Sequence, residues 1–123
     1  MDLEGLRRDL AAGEVGDIFL QLVGIFVASS PAWLDAVIAS FAEGRMEDVR
    51  RATRAYKSRA LSIRADRLAI VLHAMERGAI RGDERCIDLL PELVRSHRAA
   101  QTQLILVLEG EPSAPVQVPA DGR

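Results

Sequence analysis

The chain has 123 residues, 49% of them apolar and 28% charged, which is enough for one compact domain but not for two. A single cysteine, Cys86, excludes an intramolecular disulfide and is typical of a reducing compartment. The most apolar run, residues 18–28, is interrupted by Gln21 and Gly24, whereas a membrane span needs about 20 apolar residues. The first residues also lack the pattern of a signal peptide, so we expect a cytoplasmic protein that does not enter a membrane.

The formal net charge of −2 is unevenly distributed along the chain. Residues 45–67 carry eight basic and three acidic side chains, a net charge of +5, and the remaining residues carry a net charge of −7. This asymmetry predicts one basic surface on an acidic body, which is typical of a protein that binds an acidic partner or a phosphate group. The alternative is that the basic residues form only a well-solvated helix face.

Helices are predicted almost throughout, because apolar residues recur at spacings of three and four. A short N-terminal helix is predicted over residues 3–12, and a long apolar helix over residues 15–41 that ends before Gly44. Pro31, which follows two serines inside the long helix, predicts either a kink or a break there.

The second half of the chain continues the helical pattern. A third helix is predicted over residues 46–63 and a fourth over residues 65–79. The last helix is predicted over residues 83–108, with Pro91 either kinking it or marking its true first turn. Residues 110–123 contain three prolines and few apolar side chains, so they are predicted to form a disordered tail.

Four substantial helices with apolar stripes, joined by short links, define the expected architecture. The pattern predicts an all-α protein, an up-and-down antiparallel four-helix bundle with a short extra N-terminal helix. Residues 1–109 are expected to form this single domain.

The third helix has an apolar side and a basic side. At about 100° per residue, the side expected to face the core contains Val49, Ala52, Thr53, Tyr56, Ala60 and Ile63. The side expected to meet a partner contains Arg50, Arg51, Arg54, Lys57, Ser58 and Leu61. Three of these cations are spaced four and three residues apart and repel one another by a few tenths of a kcal/mol per pair. We therefore expect this face to serve a partner rather than the fold.

The stretch from Asp48 to Ser58, with the sequence DVRRATRAYKS, carries a family resemblance together with SIRADRL at residues 62–68. It resembles the phosphorylation helix of histidine-containing phosphotransfer (HPt) domains, in which an alanine-histidine pair is followed after two residues by lysine and glycine. A leucine-glycine-alanine turn follows further on. The resemblance extends over residues 15–108 and implies a four-helix bundle that docks a receiver domain of a response regulator or a histidine kinase.

The chain departs from the family pattern at the phosphoacceptor. Arg54 occupies the position of the family histidine, and a guanidinium has no lone pair with which to accept a phosphoryl group. Lys57 matches the family lysine that helps to hold phosphate, whereas Ser58 replaces the glycine that lets the partner approach. Arg64 replaces the turn glycine, so we expect this turn to be reshaped. The resemblance therefore implies an HPt-like binding module that is not an enzyme.

No other residues are expected to supply catalysis or to bind a metal. His73 and His97 lack a lysine-glycine pair three and four residues downstream, so neither is expected to replace the missing phosphoacceptor. Two histidines and one cysteine that lie far apart in sequence do not form a metal-binding motif. We therefore predict no cofactor, no metal and no catalytic residue.

The leading hypothesis is that Arg54 enters the acidic pocket of a receiver domain and pairs with a carboxylate or phosphate, while Leu61 adds an apolar contact. A second hypothesis, nucleic-acid binding through the basic helix, is disfavoured by the acidic body and by the lack of aromatic residues among the basic ones. A third is a purely structural homo-oligomer formed through the apolar second helix, although a monomer is expected.

Overall fold

The computed structural model describes residues 14–110, which are helical apart from short turns. The first predicted helix and the residues after Gly110 lie outside this described range. The described elements are α1 (Glu14–Glu43), α2 (Met46–Ser62), α3 (Asp66–Ile80), a short 3₁₀ helix (Glu84–Leu89) and α4 (Leu90–Leu108). The all-α class and the four substantial helices predicted for this part of the chain are confirmed.

The four helices share one apolar core. Helix α1 packs against α2 and α4, and α3 packs against the same two helices, so that α1 and α3 lie on opposite sides of the core. The side chains that are completely or almost completely buried come from all four helices, and they include Val23, Phe26, Val37, Val49, Tyr56, Leu68, Leu72, Met75, Leu93 and Leu104. Burial of these apolar surfaces is the main force that holds the helices together.

Helix α1 runs without interruption through Pro31, so the break considered from the sequence is wrong. Proline has no N–H group and leaves the carbonyl four residues earlier, that of Val27, without its usual helical donor. Gln101 of α4 supplies the replacement, because its Nε2 donates to the Val27 oxygen at 3.1 Å and to Ser30 Oγ at 2.9 Å. The neighbouring helix therefore compensates for the proline.

Helix α1 is also the most apolar element of the described residues. Residues 16–43 are long and apolar enough, by length and composition, to cross a membrane, with a mean hydropathy of 1.7 in the most apolar window. The core helix of a soluble protein passes the same test, and α1 places Val23, Phe26 and Val37 in the shared core. Its other side is largely exposed among residues 16–43, where Ile18 and Ile25 are the most exposed large aliphatic residues.

The turn between α2 and α3 has a backbone conformation that favours glycine. Arg64 has a positive φ of 62°, in the left-handed region. Its N–H donates to the Leu61 carbonyl at 3.1 Å, and the N–H of Ala65 donates to the Ala60 carbonyl at 2.9 Å, which is the Schellman pattern at a helix end. The expected reshaping of this turn is wrong, because two backbone hydrogen bonds hold arginine in a conformation that costs it energy.

Pro91 lies in the first turn of α4, which confirms the second of the two alternatives for the last helix. The residues before it form the separate 3₁₀ helix, capped by the Asp83 side chain, which accepts from the Arg85 N–H at 3.0 Å. This short helix packs closely on α3. A Cβ atom at Gly78 would lie 2.6 Å from the Cβ of Cys86, so glycine is required for the approach.

One polar contact lies inside the core. The Tyr56 hydroxyl lies 2.6 Å from Nδ1 of His97, and both side chains are buried. Burial raises the pKa of the Tyr56 hydroxyl, and burial together with the charge of Arg98 lowers the pKa of His97. Tyr56 also contacts the rings of Phe26 and Trp33, with centroids 6.0 and 5.8 Å away. The polar pair therefore joins α2 to α4 beside this cluster of aromatic rings.

Candidate functional site

Helix α2, which corresponds to the third helix predicted from the sequence, has one buried side and one largely exposed side, as predicted. Val49, Thr53, Tyr56, Ala60 and Ile63 are buried, and Ala52 is partly buried against the core. Of the predicted site residues on the other side, four are exposed and two are partly covered. The exposed ones are Arg51, Arg54, Ser58 and Leu61, and the partly covered ones are Arg50 and Lys57.

Arg50 and Arg51 are paired with acids of the first turn of the same helix. Arg50 Nε donates to a Glu47 carboxylate oxygen at 3.2 Å, and Arg51 lies 3.8 Å from Glu47 and 3.6 Å from Asp48. The hydrogen bond from Arg50 holds the pKa of Glu47 below its usual value. These acids also lie at the positive end of the helix dipole. Part of the positive charge counted in the sequence is therefore neutralised locally.

Lys57 is held by α3 instead of pointing freely into solvent. Its Nζ lies 2.6 Å from Oε1 of Glu76, a buried carboxylate, and 3.2 Å from Nδ1 of His73. A buried carboxylate needs such a partner, since an unpaired buried charge is costly. The lysine that the HPt resemblance assigns to phosphate thus also joins α2 to α3.

Arg54 lies exposed on α2 and makes no hydrogen bond or ion pair with any of residues 14–110. The neighbouring cations on its face, Arg50 and Lys57, have acidic partners, so the repulsion predicted among the three is largely relieved. What remains for an incoming molecule is one uncommitted guanidinium between two neutralised cations. Its planar group of donors suits a carboxylate or a phosphate.

An apolar groove runs between α2 and α3 beside this arginine. It is lined by Lys57, Leu61, Asp66, Ala69, Ile70 and His73. Leu61 is 55% exposed and Ile70 is 69% exposed, although both are large aliphatic residues. We call this feature the Leu61–Ile70 groove. An uncommitted cation beside an exposed apolar groove can bind a protein surface that offers both an acid and an apolar side chain.

The α3 side of the groove is absent from the sequence-based site. Ile70, His73 and Glu76 were not predicted as site residues, because the periodicity of α2 carries no information about which residues of α3 lie beside it. One signal was available: Lys57 has no acidic residue three or four positions away on its own helix. Its ion-pair partner therefore had to come from another element.

The two histidines differ sharply in accessibility. His97 is buried and contacts Tyr56 through Nδ1, so a partner cannot reach it. His73 is exposed at the edge of the groove, with Nδ1 facing the Lys57 ammonium. An ammonium can only donate, so His73 accepts through Nδ1, and its neutral form carries the proton on Nε2.

Among the described residues, no group of three or more histidine, cysteine, aspartate or glutamate side chains is placed to hold a metal ion. Cys86 is buried against α3, and burial raises the pKa of its thiol, which disfavours the reactive thiolate.

Comparison of the chain with protein-family models, with curated proteins and with solved structures finds no match.

Proposed function

We propose that this protein is a non-catalytic, HPt-like binding module of two-component signalling. It docks the receiver domain of a response regulator, or a histidine kinase, through the face around Arg54, and it transfers no phosphoryl group. The proposal includes the finer architecture of the family: an up-and-down antiparallel bundle with a short extra helix over residues 3–12, located in the cytoplasm.

The observation that carries the proposal is the position of exposed Arg54, which has no ion-pair partner within residues 14–110, beside the Leu61–Ile70 groove. An acidic pocket bordered by apolar residues is the complementary surface. Arg54 meets the acid, and Leu61 and Ile70 bury apolar area around it, which excludes water and strengthens the charged contact.

The chemistry of Arg54 explains why binding occurs without transfer. A guanidinium stays protonated and has no acceptor lone pair, so it cannot attack a phosphoryl group. It can instead pair with the carboxylate cluster of a receiver domain. The module then occupies the surface that a phosphorylatable relay protein would use, and it competes with that protein.

Nucleic-acid binding receives less support from the same face. Arg50, Arg51 and Lys57 are each paired with a carboxylate, so a polyphosphate would have to displace acidic side chains to reach them. Leu61 and Ile70 offer apolar area that a phosphate backbone does not use.

The experiment is a binding titration with purified receiver domains, each labelled with a fluorophore, in the presence and absence of beryllofluoride as a phosphoryl mimic. Arg54→Glu should weaken binding by about 1 to 3 kcal/mol because it reverses the charge at the centre of the face, and Leu61→Asp should weaken binding by a similar amount because it places a charge in the adjoining groove. Arg77→Glu and Ile80→Asp are the matched controls on exposed positions of α3 and should change little.

Equal losses for both pairs of variants would mean a diffuse surface and would contradict docking at Arg54. No binding to any receiver domain or kinase, with a steep decrease of DNA or RNA affinity with salt, would favour the nucleic-acid alternative. Lys57→Glu is not an informative variant, because it would place a second carboxylate beside buried Glu76 and weaken the fold.

A further inference from the structure

The uncovered side of α1 carries a regular apolar seam. Its positions alternate at spacings of four and three, the heptad spacing of helices that pair with another helix. The seam consists of Ile18, Leu22, Ile25, Ser29, Ala32 and Ala36. All are exposed except Ser29, which is partly exposed, and Ile18 and Ile25 are 59% and 57% exposed. We call these six residues the α1 seam.

The α1 seam is nearly free of charge. Between Asp17 and Asp35 the sequence contains no ionisable side chain, although this helix side faces away from the core. The exposed side of a helix in a water-soluble bundle is normally polar or charged. An uncharged exposed stripe at heptad spacing indicates that another helix covers it.

We infer that the covering helix is α1 of a second copy of this chain, packed antiparallel. The large seam residues, Ile18, Leu22 and Ile25, occupy the N-terminal half, and the small ones occupy the C-terminal half. With a twofold axis near Val27, Ile18 lies opposite Ala36 of the second copy, Leu22 opposite Ala32, and Ile25 opposite Ser29. Each large side chain then meets a small one, as close packing of two helices requires.

A parallel pair does not achieve this match. Large residues would face large residues at one end, and small residues would face small ones at the other. The large side chains would then hold the two helices apart at their N-terminal ends, and the small side chains would leave a gap at their C-terminal ends. The sequence of the seam therefore selects the antiparallel arrangement.

The expected interface is modest. The seam spans residues 18–36, about 28 Å of helix at 1.5 Å per residue. Such a pair buries on the order of 1,000 Å², which is close to the lower limit for a specific interface. We therefore expect a dimer that forms reversibly with concentration. It replaces the monomer expected from the sequence, and it does not depend on the function proposed for the face around Arg54.

The test is sedimentation velocity of the full chain over a hundredfold range of concentration. The wild type should shift from monomer towards dimer as concentration rises. Leu22→Asp and, independently, Ala32→Glu should remain monomeric with unchanged helical circular dichroism, whereas the control Ile70→Asp, at an exposed isoleucine on α3, should still dimerise. A wild type that stays monomeric throughout would overturn the inference, as would a dimer that only Ile70→Asp disrupts.

Cross-linking tests the direction of the pair, with Cys86→Ala as the background. Ile18→Cys alone should give no covalent dimer with a short bismaleimide, because the two copies of residue 18 lie at opposite ends. A mixture of Ile18→Cys and Ala36→Cys chains should cross-link efficiently. Efficient linking of Ile18→Cys to itself would overturn the antiparallel arrangement. Loss of vesicle binding in Leu22→Asp, without any protein dimer, would instead show that the seam binds lipid.

Discussion

Arg64 is held in a left-handed conformation that favours glycine over other residues. The Arg64 side chain also makes contacts with other residues. Glycine and alanine variants are therefore compared with each other, because both substitutions remove these contacts. Arg64→Gly should be more stable than Arg64→Ala by about 1 kcal/mol, because alanine keeps the Cβ that clashes at positive φ. Urea unfolding followed by circular dichroism measures the difference. Equal stabilities would show that the turn relaxes to a different backbone conformation.

At Arg54, a single substitution tests whether the face can act as a phosphotransfer site. Arg54→His places an exposed imidazole one turn from Lys57, and we expect slow transfer of a phosphoryl group to it from the phosphorylated aspartate of a receiver domain. Because Lys57 is bound to Glu76, adding Glu76→Gln should release the ammonium and increase the labelling.

The matched control for that experiment is Arg51→His, on an exposed position of the same helix away from the groove. Acid-labile radioactive phosphate on the protein is the measurement. Equal labelling of the two histidine variants would contradict a specific site at residue 54. Labelling of the wild type itself would contradict the proposal that the protein accepts no phosphoryl group.

At the scale of the elements, the contact between α3 and the 3₁₀ helix depends on one missing side chain. Gly78→Ala should destabilise the protein by about 2 kcal/mol, since the new Cβ would lie 2.6 Å from Cys86 Cβ. Gly24→Ala is the control, because no other side chain lies near a Cβ at that helical glycine, and it should stabilise by up to about 1 kcal/mol. Thermal unfolding of both variants checks the opposite signs.

The helices themselves could be predicted from the sequence. Where the chain is described, their ends agree within two residues, except that α4 begins at Leu90 and not at residue 83. Local signals suffice for this: Gly44 and Gly82 adopt positive φ at two helix ends, and Pro91 lies in a first helical turn. The α2 face was predictable for the same reason, because one helical period assigns every side chain to a side.

The features that the sequence analysis missed depend on contacts between helices. The continuity of α1 requires Gln101, which lies 70 residues further along the chain than Pro31. The pairing of Lys57 requires Glu76, and no periodicity within α2 indicates it. Four of the six residues that line the groove belong to α3 and two to α2, so its shape exists only when the two helices are packed. Predicting such contacts requires knowing how the helices are rotated relative to one another, and a single sequence does not give this orientation.

At the scale of the whole molecule, the buried pair of Tyr56 and His97 makes stability depend on pH. Burial lowers the pKa of His97 below its usual 6.5, so the unfolded chain binds a proton more readily than the folded one. The contribution of His97 to the free energy of unfolding should therefore be complete above about pH 7 and should be lost as the pH falls below 6.5. Urea unfolding at about pH 7.5 and 5.5 measures the decrease.

His97→Gln should remove most of this decrease, whereas His73→Gln, at the exposed histidine, should retain it. The carboxylates of Glu47, Asp83 and Glu92, whose pKa values are lowered by arginine hydrogen bonds, lose their contribution only at more acidic pH. They do not interfere with the measurement. An unchanged slope in His97→Gln would assign the pH dependence to another group.

The hydrogen bond from Gln101 to Val27 predicts that α1 would not remain one continuous helix as an isolated peptide. A peptide with the sequence of residues 14–43 contains the same proline but no glutamine amide to serve the orphaned carbonyl, which would have to turn towards water. Such a peptide would fray into two shorter helices that meet near Pro31. The continuous 30-residue helix thus depends on the contact with α4 and is not determined by the sequence of residues 14–43 alone.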